Sequence, residues 1–116
     1  MQGKRLDRVN QLIKEEVSML LQRELKDPRL GFVTVTEVET SKDLRSAKIF
    51  VSVLGDDAQW KASLAALESA RGFVRNWLRQ HLELRLTPGL DFRPDHSLEH
   101  AARIQSLLKQ VRAPGS

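Results

Sequence analysis

The chain has 116 residues, of which 41% are hydrophobic and 29% charged, enough to build one folded domain around one hydrophobic core. It contains no cysteine, which excludes disulfides, zinc–thiolate sites and thiol nucleophiles. The net charge of +4 arises in residues 59–116, which carry nine basic and five acidic side chains, whereas residues 1–58 carry ten of each. An arginine-rich excess in one region favours a polyanionic partner.

The N-terminal segment predicts an amphipathic helix over residues 4–25. Its apolar residues recur at spacings of three and four, which places them on one face of a helix. They are Leu6, Val9, Ile13, Val17, Leu20 and Leu21. Asp27 ends the helix because the residue before a proline is pushed out of the α region, and Gly31 suits the turn that follows.

A β-hairpin is predicted next. Residues 32–40 and 45–54 alternate between apolar and polar and are rich in β-branched residues, and the short turn between them favours antiparallel pairing. One face of the second strand consists of Ala47, Ile49, Val51 and Val53. After this strand, Asp56 and Asp57 offer a helix cap.

Residues 58–83 follow a helical pattern that contains an inconsistency. Trp60, Leu64 and Leu67 define an apolar face, and a straight helix at about 100° per residue brings Arg71 onto that same face. The next residue is a glycine, which costs about 1 kcal/mol relative to alanine inside a helix. A kink at residues 70–72 removes both difficulties. We therefore predict two helices, of which the second buries Phe73, Val74, Trp77 and Leu78.

One more strand and one more helix complete the chain. Residues 90–93 alternate as a short strand, which Pro94 confines to a sheet edge or a strand end. Ser97 can cap a helix over residues 98–111, whose apolar side consists of Leu98, Ala101, Ile104, Leu108 and Val111. The order α-β-β-α-kink-α-β-α describes an α+β domain over residues 1–111, followed by a short tail over residues 112–116.

The predicted kink points to phosphate binding. A helix that begins at Gly72 presents free amides and the positive end of its dipole, which together attract anions. Arg71, Arg75 and Arg79 recur every four residues from that start and form a row along one side. Without a kink, a solvated face paired with Glu68 and Glu83 explains the same residues; with a kink, we predict contact with phosphates.

Basic residues elsewhere are further candidates for contact with nucleic acid. Lys4, Arg5 and Arg8 lie on the first helix, and Arg45 and Lys48 lie on the hairpin. Plain solubility is an alternative explanation for them, because acidic residues are interleaved on the first helix and the hairpin face is simply polar. The aromatic residues fall mostly in apolar positions and are expected in the core, which argues against base stacking. They are Phe32, Phe50, Trp60, Phe73, Trp77 and Phe92.

The sequence does not indicate catalysis, a metal or a cofactor. His96 and His100 are four residues apart, but no third ligand follows at a useful spacing. Gly-rich phosphate loops and the common hydrolase motifs are lacking. The charged N-terminus is unlike a signal peptide, and no stretch reaches the ~20 apolar residues of a membrane helix. We therefore expect an intracellular protein that is not an enzyme and has no membrane partner.

Two stretches are distinctive in combination: Asp-Pro-Arg-Leu-Gly at 27–31 and Ala-Lys-Ile-Phe-Val-Ser-Val-Leu-Gly at 47–55. Ala-Arg-Gly at 70–72 and Leu-Asp-Phe at 90–92 fit the same pattern. With them, residues 4–109 resemble ribosome-binding factor A. The resemblance implies a type II KH-like fold with helices packed on a three-stranded mixed sheet. It also implies an Ala-x-Gly kink in place of the Gly-x-x-Gly of ordinary KH domains, which argues against ordinary four-nucleotide KH binding.

The resemblance further implies a function. Members of this family are cytoplasmic bacterial proteins without catalytic activity that bind the free small (30S) ribosomal subunit and its 16S ribosomal RNA. They assist late maturation and 5′-end processing of that RNA, matter for growth in the cold, and leave with the help of an assembly GTPase or initiation factor three. Two alternatives stay open, a module that contacts mainly ribosomal proteins and a general KH reader of single-stranded RNA. We expect a monomer.

The predicted RNA-binding residues come from two arguments. The kink residues are carried over from the family: Ala70, Arg71 and Gly72. The others are assigned on electrostatic grounds alone: Arg5, Arg8, Arg45, Lys48, Arg75, Arg79 and Arg85.

Overall fold

Helices and strands follow each other in the order that the sequence patterns predict, except that one helix stands where two were predicted. The computed structural model describes residues 2–112. The elements are α1 (Gln2–Arg23), β1 (Val33–Thr40), β2 (Ser46–Val53), α2 (Asp57–His81), β3 (Gly89–Pro94) and α3 (Ser97–Arg112). Of the tail predicted over residues 112–116, the first residue ends α3 and the others lie outside the described residues.

The sheet has the order β1-β2-β3, with β2 in the centre. β1 pairs with β2 antiparallel, with a bulge between Val35 and Glu37, and β3 pairs with β2 in parallel. Because β2 has neighbours on both edges, its inward residues are almost completely buried, from 0% to 1% exposed: Ala47, Ile49, Val51 and Val53. The predicted α+β class with a three-stranded mixed sheet is confirmed.

Helices α1 and α2 cover the inward face of this sheet. The predicted apolar stripe of α1 is confirmed, since Ile13, Val17 and Leu20 are fully buried. On α2, Leu67, Val74 and Leu78 are fully buried against the same core. The other face of the sheet carries mostly polar side chains, with Phe50 as an apolar exception, as is common for a mixed sheet with one covered face.

The Asp-Pro-Arg-Leu-Gly turn at residues 27–31 joins this core to α2. The Ser63 hydroxyl, 1% exposed, accepts a hydrogen bond from the Gly31 amide at 3.1 Å and donates one to the Arg29 carbonyl at 3.4 Å. Within the turn, the Arg29 guanidinium lies 2.8 Å from the Asp27 carboxylate and holds the pKa of Asp27 below its usual value. The turn is therefore a packing element, and its arginine is already paired.

The prediction of two helices over residues 58–83 is wrong, because α2 is one helix from Asp57 to His81. Its N-terminus is closed by a capping box between Asp56 and Gln59. No kink is needed to keep Arg71 out of the core, because a residue four positions after Leu67 lies at the edge of the buried stripe, where a long side chain reaches solvent. The arginine side chain is 51% exposed and pairs with a neighbouring glutamate.

The neighbours of Arg71 follow from the same continuous helix. Gly72 lies on the solvent side, where an added Cβ would meet no atom within 4 Å. Phe73, predicted in the core, is instead 51% exposed, because an unbroken period turns it away from the stripe that contains Val74 and Leu78. Neither steric crowding nor an unusual backbone angle thus requires a glycine at position 72.

Only the start of α3 is fixed to the domain. The Asp95 carboxylate accepts hydrogen bonds from the Thr36 hydroxyl at 2.6 Å and the Ser97 amide at 2.9 Å, so Asp95, and not Ser97, supplies the cap. Glu99 accepts a hydrogen bond from the Trp60 indole at 2.6 Å, which lowers the pKa of Glu99. The apolar residues that follow remain about half exposed or more: Leu98, Ile104, Leu107, Leu108 and Val111.

The continuous helix predicts that Gly72→Ala stabilises the protein. Alanine relieves the glycine penalty and meets no clash, so the free energy of unfolding should rise by about 0.5–1 kcal/mol. Denaturant unfolding followed by circular dichroism measures this. Gly55→Ala is the matched control: Gly55 has φ 144°, which only glycine adopts readily, so that variant should be destabilised. A loss of stability in Gly72→Ala would contradict an unbroken α2.

Because Asp95 connects the start of α3 to β1, we expect the attachment of α3 to weaken in acid. The hydrogen bond from Thr36 lowers the pKa of Asp95 below its ordinary value of 3.8. The ionised carboxylate therefore stabilises the fold above about pH 4, and this contribution is lost as the pH falls from there through the lowered pKa. Melting curves between pH 2 and 7 should show a shallower acid decline for Asp95→Asn than for the parent. Parallel declines would show that this carboxylate does not contribute.

Candidate nucleic-acid interface

The three arginines of α2 form one row because the helix is unbroken. Arg71, Arg75 and Arg79 follow each other at four-residue spacing and are all exposed. Beside this row, a cleft of about 230 Å³ is lined by Gly72, Arg75, Asn76, Arg79 and Thr87. The cleft is open to solvent and has two guanidinium groups at its edge, so it can accept an anionic group of small size.

Each arginine of the row has a partner inside the protein. The Arg71 guanidinium lies 3.1 Å from the Glu68 carboxylate, and Arg79 donates to the Asn76 side-chain oxygen at 2.6 Å. These are exposed, local pairs of the kind that contributes little to stability, so a phosphate can replace them. The alternative explanation from the sequence named this pair of Arg71 with Glu68, and contact of Arg71 with a phosphate stays a prediction.

Arg75 has a different role from the other two. Its guanidinium donates to the carbonyls of Thr87 at 2.9 Å and Pro88 at 3.2 Å, which ties α2 to the connection that leads into β3. Two of its five N–H groups are used in this way. Arg75 thus stabilises the fold and also lines the cleft.

The continuous helix removes one part of the predicted phosphate site. Amides at residues 70–72 lie in the middle of α2, far from the free amides of a helix N-terminus, so no new N-terminus faces outward there. Ala70 is partly buried against the core. Anion binding in this region therefore depends on side chains, with Gly72 leaving room beside them.

A second group of basic residues comes together at the end of the sheet where β2 and β3 begin. Arg5 from α1, Lys42 from the β1–β2 turn and Arg85 from the α2–β3 connection line a cleft of about 220 Å³. Arg8 is exposed one turn further along α1. Lys42 was missed by the sequence analysis, because nothing in the hairpin turn indicates that two distant segments meet there.

Arg45 links this group to the arginine row. Its carbonyl accepts a hydrogen bond from the Gly89 amide at 2.8 Å, directly after the two residues that Arg75 binds. Its own side chain is 80% exposed, with Asp43 at 4.0 Å. We call the set of basic residues gathered around these two connections the basic end: Arg5, Lys42, Arg45, Arg75, Arg79 and Arg85.

Lys48 lies in a different environment. It is exposed on the open face of the sheet, and its register partners are Glu39 on β1 and Asp91 on β3. Residues paired across a sheet point to the same side, so a carboxylate stands on each flank of this lysine. That arrangement disfavours a phosphate at Lys48.

The aromatic residues are less buried than predicted. Trp60 is 6% exposed, but Phe32 is 80% and Phe73 51% exposed. Phe73 and Trp77 have ring centres 6.5 Å apart, and Trp77 stacks on His81 at 3.8 Å. The prediction of a core position is therefore wrong for Phe32 and Phe73, and core packing no longer argues against base stacking at Phe73.

The described residues contain no group that suggests a metal site or a membrane span. His96 lies 3.2 Å from Glu99 and its ring is 4.1 Å from that of Trp60, so it belongs to the attachment of α3. Among residues 2–112, no three histidine, aspartate or glutamate side chains gather to hold an ion. Nor does any helix in that range have the length and apolar character needed to cross a bilayer.

Arg75 and Arg79 should differ in their effect on stability. Arg75→Ala removes two hydrogen bonds between α2 and the connection to β3, and a loss of about 1–3 kcal/mol is expected for charge-assisted bonds of this kind. Arg79→Ala removes a single exposed contact and should change stability by less than about 0.5 kcal/mol. Denaturant unfolding of both variants measures the difference. Equal values would show that the two arginines are equivalent surface residues.

Comparison with known proteins agrees with this architecture. A family model described as ribosome-binding factor A matches residues 5–108. A ribosome-binding factor A from Halothermothrix orenii is 47% identical over 112 residues, which are 97% of this chain and 92% of that protein. The crystal structure of ribosome-binding factor A from Thermus thermophilus superposes with a TM-score of 0.69 at 27% identity, over 77% of this chain and 94% of that one.

A further structural neighbour is a Thermus thermophilus ribosome-binding factor A homology model that was fitted into an electron cryo-microscopy map of its 30S complex. It superposes with a TM-score of 0.64 at 28% identity, over 75% of this chain and 91% of that one. The family model, which matches residues 5–108, spans the helices and strands that build the basic end.

Proposed function

The chain belongs to the ribosome-binding factor A family, and from this we propose that it binds the free small ribosomal subunit through phosphates of its 16S ribosomal RNA. The observation that carries the proposal is the basic end, where α1, the β1–β2 turn and the α2–β3 connection bring basic side chains together around two open clefts. The Thermus thermophilus relative fitted into a 30S complex supports the choice of partner.

The binding mechanism relies on side-chain charge. Guanidinium groups match phosphate geometry, and Arg79 and Arg5 are exposed on either side of the α2–β3 connection. Phosphate contacts position a protein without reading sequence, so selectivity comes from the shape of the folded RNA. By binding one RNA arrangement better than another, the protein shifts the population of that arrangement without catalysing a reaction.

The finer role is part of the same proposal. It comprises late maturation of the subunit, 5′-end processing of 16S ribosomal RNA, growth in the cold, and release assisted by an assembly GTPase or initiation factor three. The protein acts as a cytoplasmic monomer and needs no cofactor. Family membership and a surface suited to RNA support this part of the proposal.

Sedimentation with purified subunits tests the proposal. The protein should move with small subunits and not with large subunits in sucrose gradients. Each phosphate that the protein neutralises makes subunit binding more sensitive to salt. The logarithm of the binding constant falls with the logarithm of the salt concentration with a slope of roughly −0.7 to −0.9 per contact. Four contacts would give a slope near −3. Binding that barely changes between 50 and 200 mM salt would rule out the arginine–phosphate mechanism.

Charge reversal localises the contact. The double variant Arg5→Glu, Arg79→Glu should lose subunit binding and keep its unfolding curve, because both side chains are exposed. Lys61→Glu, compared with the single variant Arg79→Glu, is the matched control: Lys61 lies on the same side of α2 five turns away, at the end opposite the basic end. Equal binding by the double variant and the control would place the contact elsewhere.

A second candidate function is contact with a ribosomal protein, and α3 favours it. One side of α3 lines a groove together with Phe32 and Leu54. The apolar residues of α3 after Arg103 do not line this groove and are exposed. Those residues are Ile104, Leu107, Leu108 and Val111. Arg103 and Lys109 flank them, so the matching partner is an apolar surface with an acidic rim.

The same gradients separate the two candidates. Leu107→Gln combined with Leu108→Gln removes apolar surface from α3 without changing its charge. If this variant loses subunit binding while Arg5→Glu, Arg79→Glu retains it, the protein contact replaces the RNA contact as the main interaction. The reverse pattern supports RNA.

A further inference from the structure

We propose that Phe73, Trp77 and His81 form a stacking surface for unpaired RNA bases, beside the arginines that hold the neighbouring phosphates. We call these three residues the aromatic row. The inference rests on the proposed RNA-binding function and adds a ligand class to it: nucleotides whose bases are free of pairing.

The aromatic row is rigid and partly open. The three residues follow each other at four-residue spacing along α2, so their rings lie one above the other. Trp77 is held from two sides, since its indole donates to the Glu16 carboxylate at 2.9 Å and His81 stacks on it at 3.8 Å with an interplanar angle of 11°. At the other end, Phe73 is 51% exposed, and its ring is tilted by 37° from that of Trp77. A base can therefore stack on Phe73 without reorganising the helix.

The helix places phosphate-binding and base-binding groups on one continuous surface. At about 100° per residue, Arg79 and Phe73 lie about 120° apart around α2, with Asn76 midway between them. Gly72 is next to this path and has no side chain there. A nucleotide whose phosphate meets Arg79 can thus lie across α2 over the open position at Gly72 and bring its base to Phe73.

A protein partner fits this surface less well than RNA. An apolar protein surface would satisfy Phe73 but would offer no anionic group to Arg79, which lies about 120° away around the same helix. A nucleotide supplies a flat ring and a phosphate at a fixed covalent spacing, so it satisfies both groups together. Stacking tolerates any base, because every base has an aromatic face.

The test uses a single-stranded 12-nucleotide RNA of unpaired sequence, an abasic oligomer of the same length and charge, and three variants of Phe73 in the full chain. Phe73→Leu keeps an apolar side chain but removes the ring, Phe73→Tyr keeps the ring, and Phe73→Ala removes both. Since Phe73 is exposed, all three should keep the parent's melting temperature within a few degrees. Trp60→Phe in the background leaves Trp77 as the only fluorescent indole.

Stacking predicts a specific pattern. Phe73→Leu and Phe73→Ala should weaken binding of the RNA by about 5- to 100-fold, in the range measured for base stacking, and Phe73→Tyr should bind like the parent. The abasic oligomer should bind more weakly than the RNA to the parent and equally to all variants. The RNA, but not the abasic oligomer, should quench Trp77 fluorescence.

Several results would overturn the inference. Equal binding of RNA and abasic oligomer by the parent excludes stacking, as does the lack of measurable binding of either. If Phe73→Leu loses small-subunit binding while RNA affinity and Trp77 fluorescence are unchanged, the aromatic row contacts a protein. If Phe73→Leu binds subunits and RNA like the parent while Arg5→Glu, Arg79→Glu does not, the stacking surface is wrong and the proposed function stands. If the parent does not bind subunits, the proposed function fails first.

Discussion

Contact between α2 and the sheet sets the outward surface of this protein. Leu67, Val74 and Leu78 are completely buried, and together they fix the rotation of the helix about its own axis. A change of one residue in that register would turn the helix by about 100° and bring either a phenylalanine or an arginine into the core. The buried stripe therefore decides which side chains point to solvent, and in particular it places the arginine row and the aromatic row on opposite edges of the exposed face.

The basic end depends on connections as much as on helices. Arg75 ties the α2–β3 connection to the helix, and the Gly89 amide ties the start of β3 to Arg45 on β2. Parallel pairing of β2 and β3 brings the starts of both strands to one end of the sheet, and the N-terminal turns of α1 lie at the same end. A modest net charge of +4 becomes a local concentration of positive charge in this way. Because Arg75 is part of both the fold and the cleft, stability and binding are coupled there.

Gly72, in the middle of α2, lowers the stability of the helix and leaves an open surface there. Gly72 weakens the helix and has no packing reason to be glycine, since an added Cβ would meet no neighbour. The same absence of a side chain leaves the helix backbone accessible between Arg75, Arg79 and Phe73. A residue that is unfavourable for the fold and favourable for close approach of a ligand is typical of a functional site.

The sequence by itself determined the order of the elements, the inward faces of α1 and β2, and the α+β class, because alternation and helical spacing report directly which side of an element is apolar. It also contained the family resemblance. The tertiary structure alone decided that α2 is unbroken, that Phe73 is exposed, that most of α3 lies off the core, and that Lys42 lies with Arg5 and Arg85. Sequence spacing gives the angular position of a residue around a helix. Whether the side chain of an arginine at the edge of a buried stripe reaches solvent depends on its neighbours in space. Which distant segments meet at one end of a sheet likewise depends on strand pairing, and a local pattern does not contain that information.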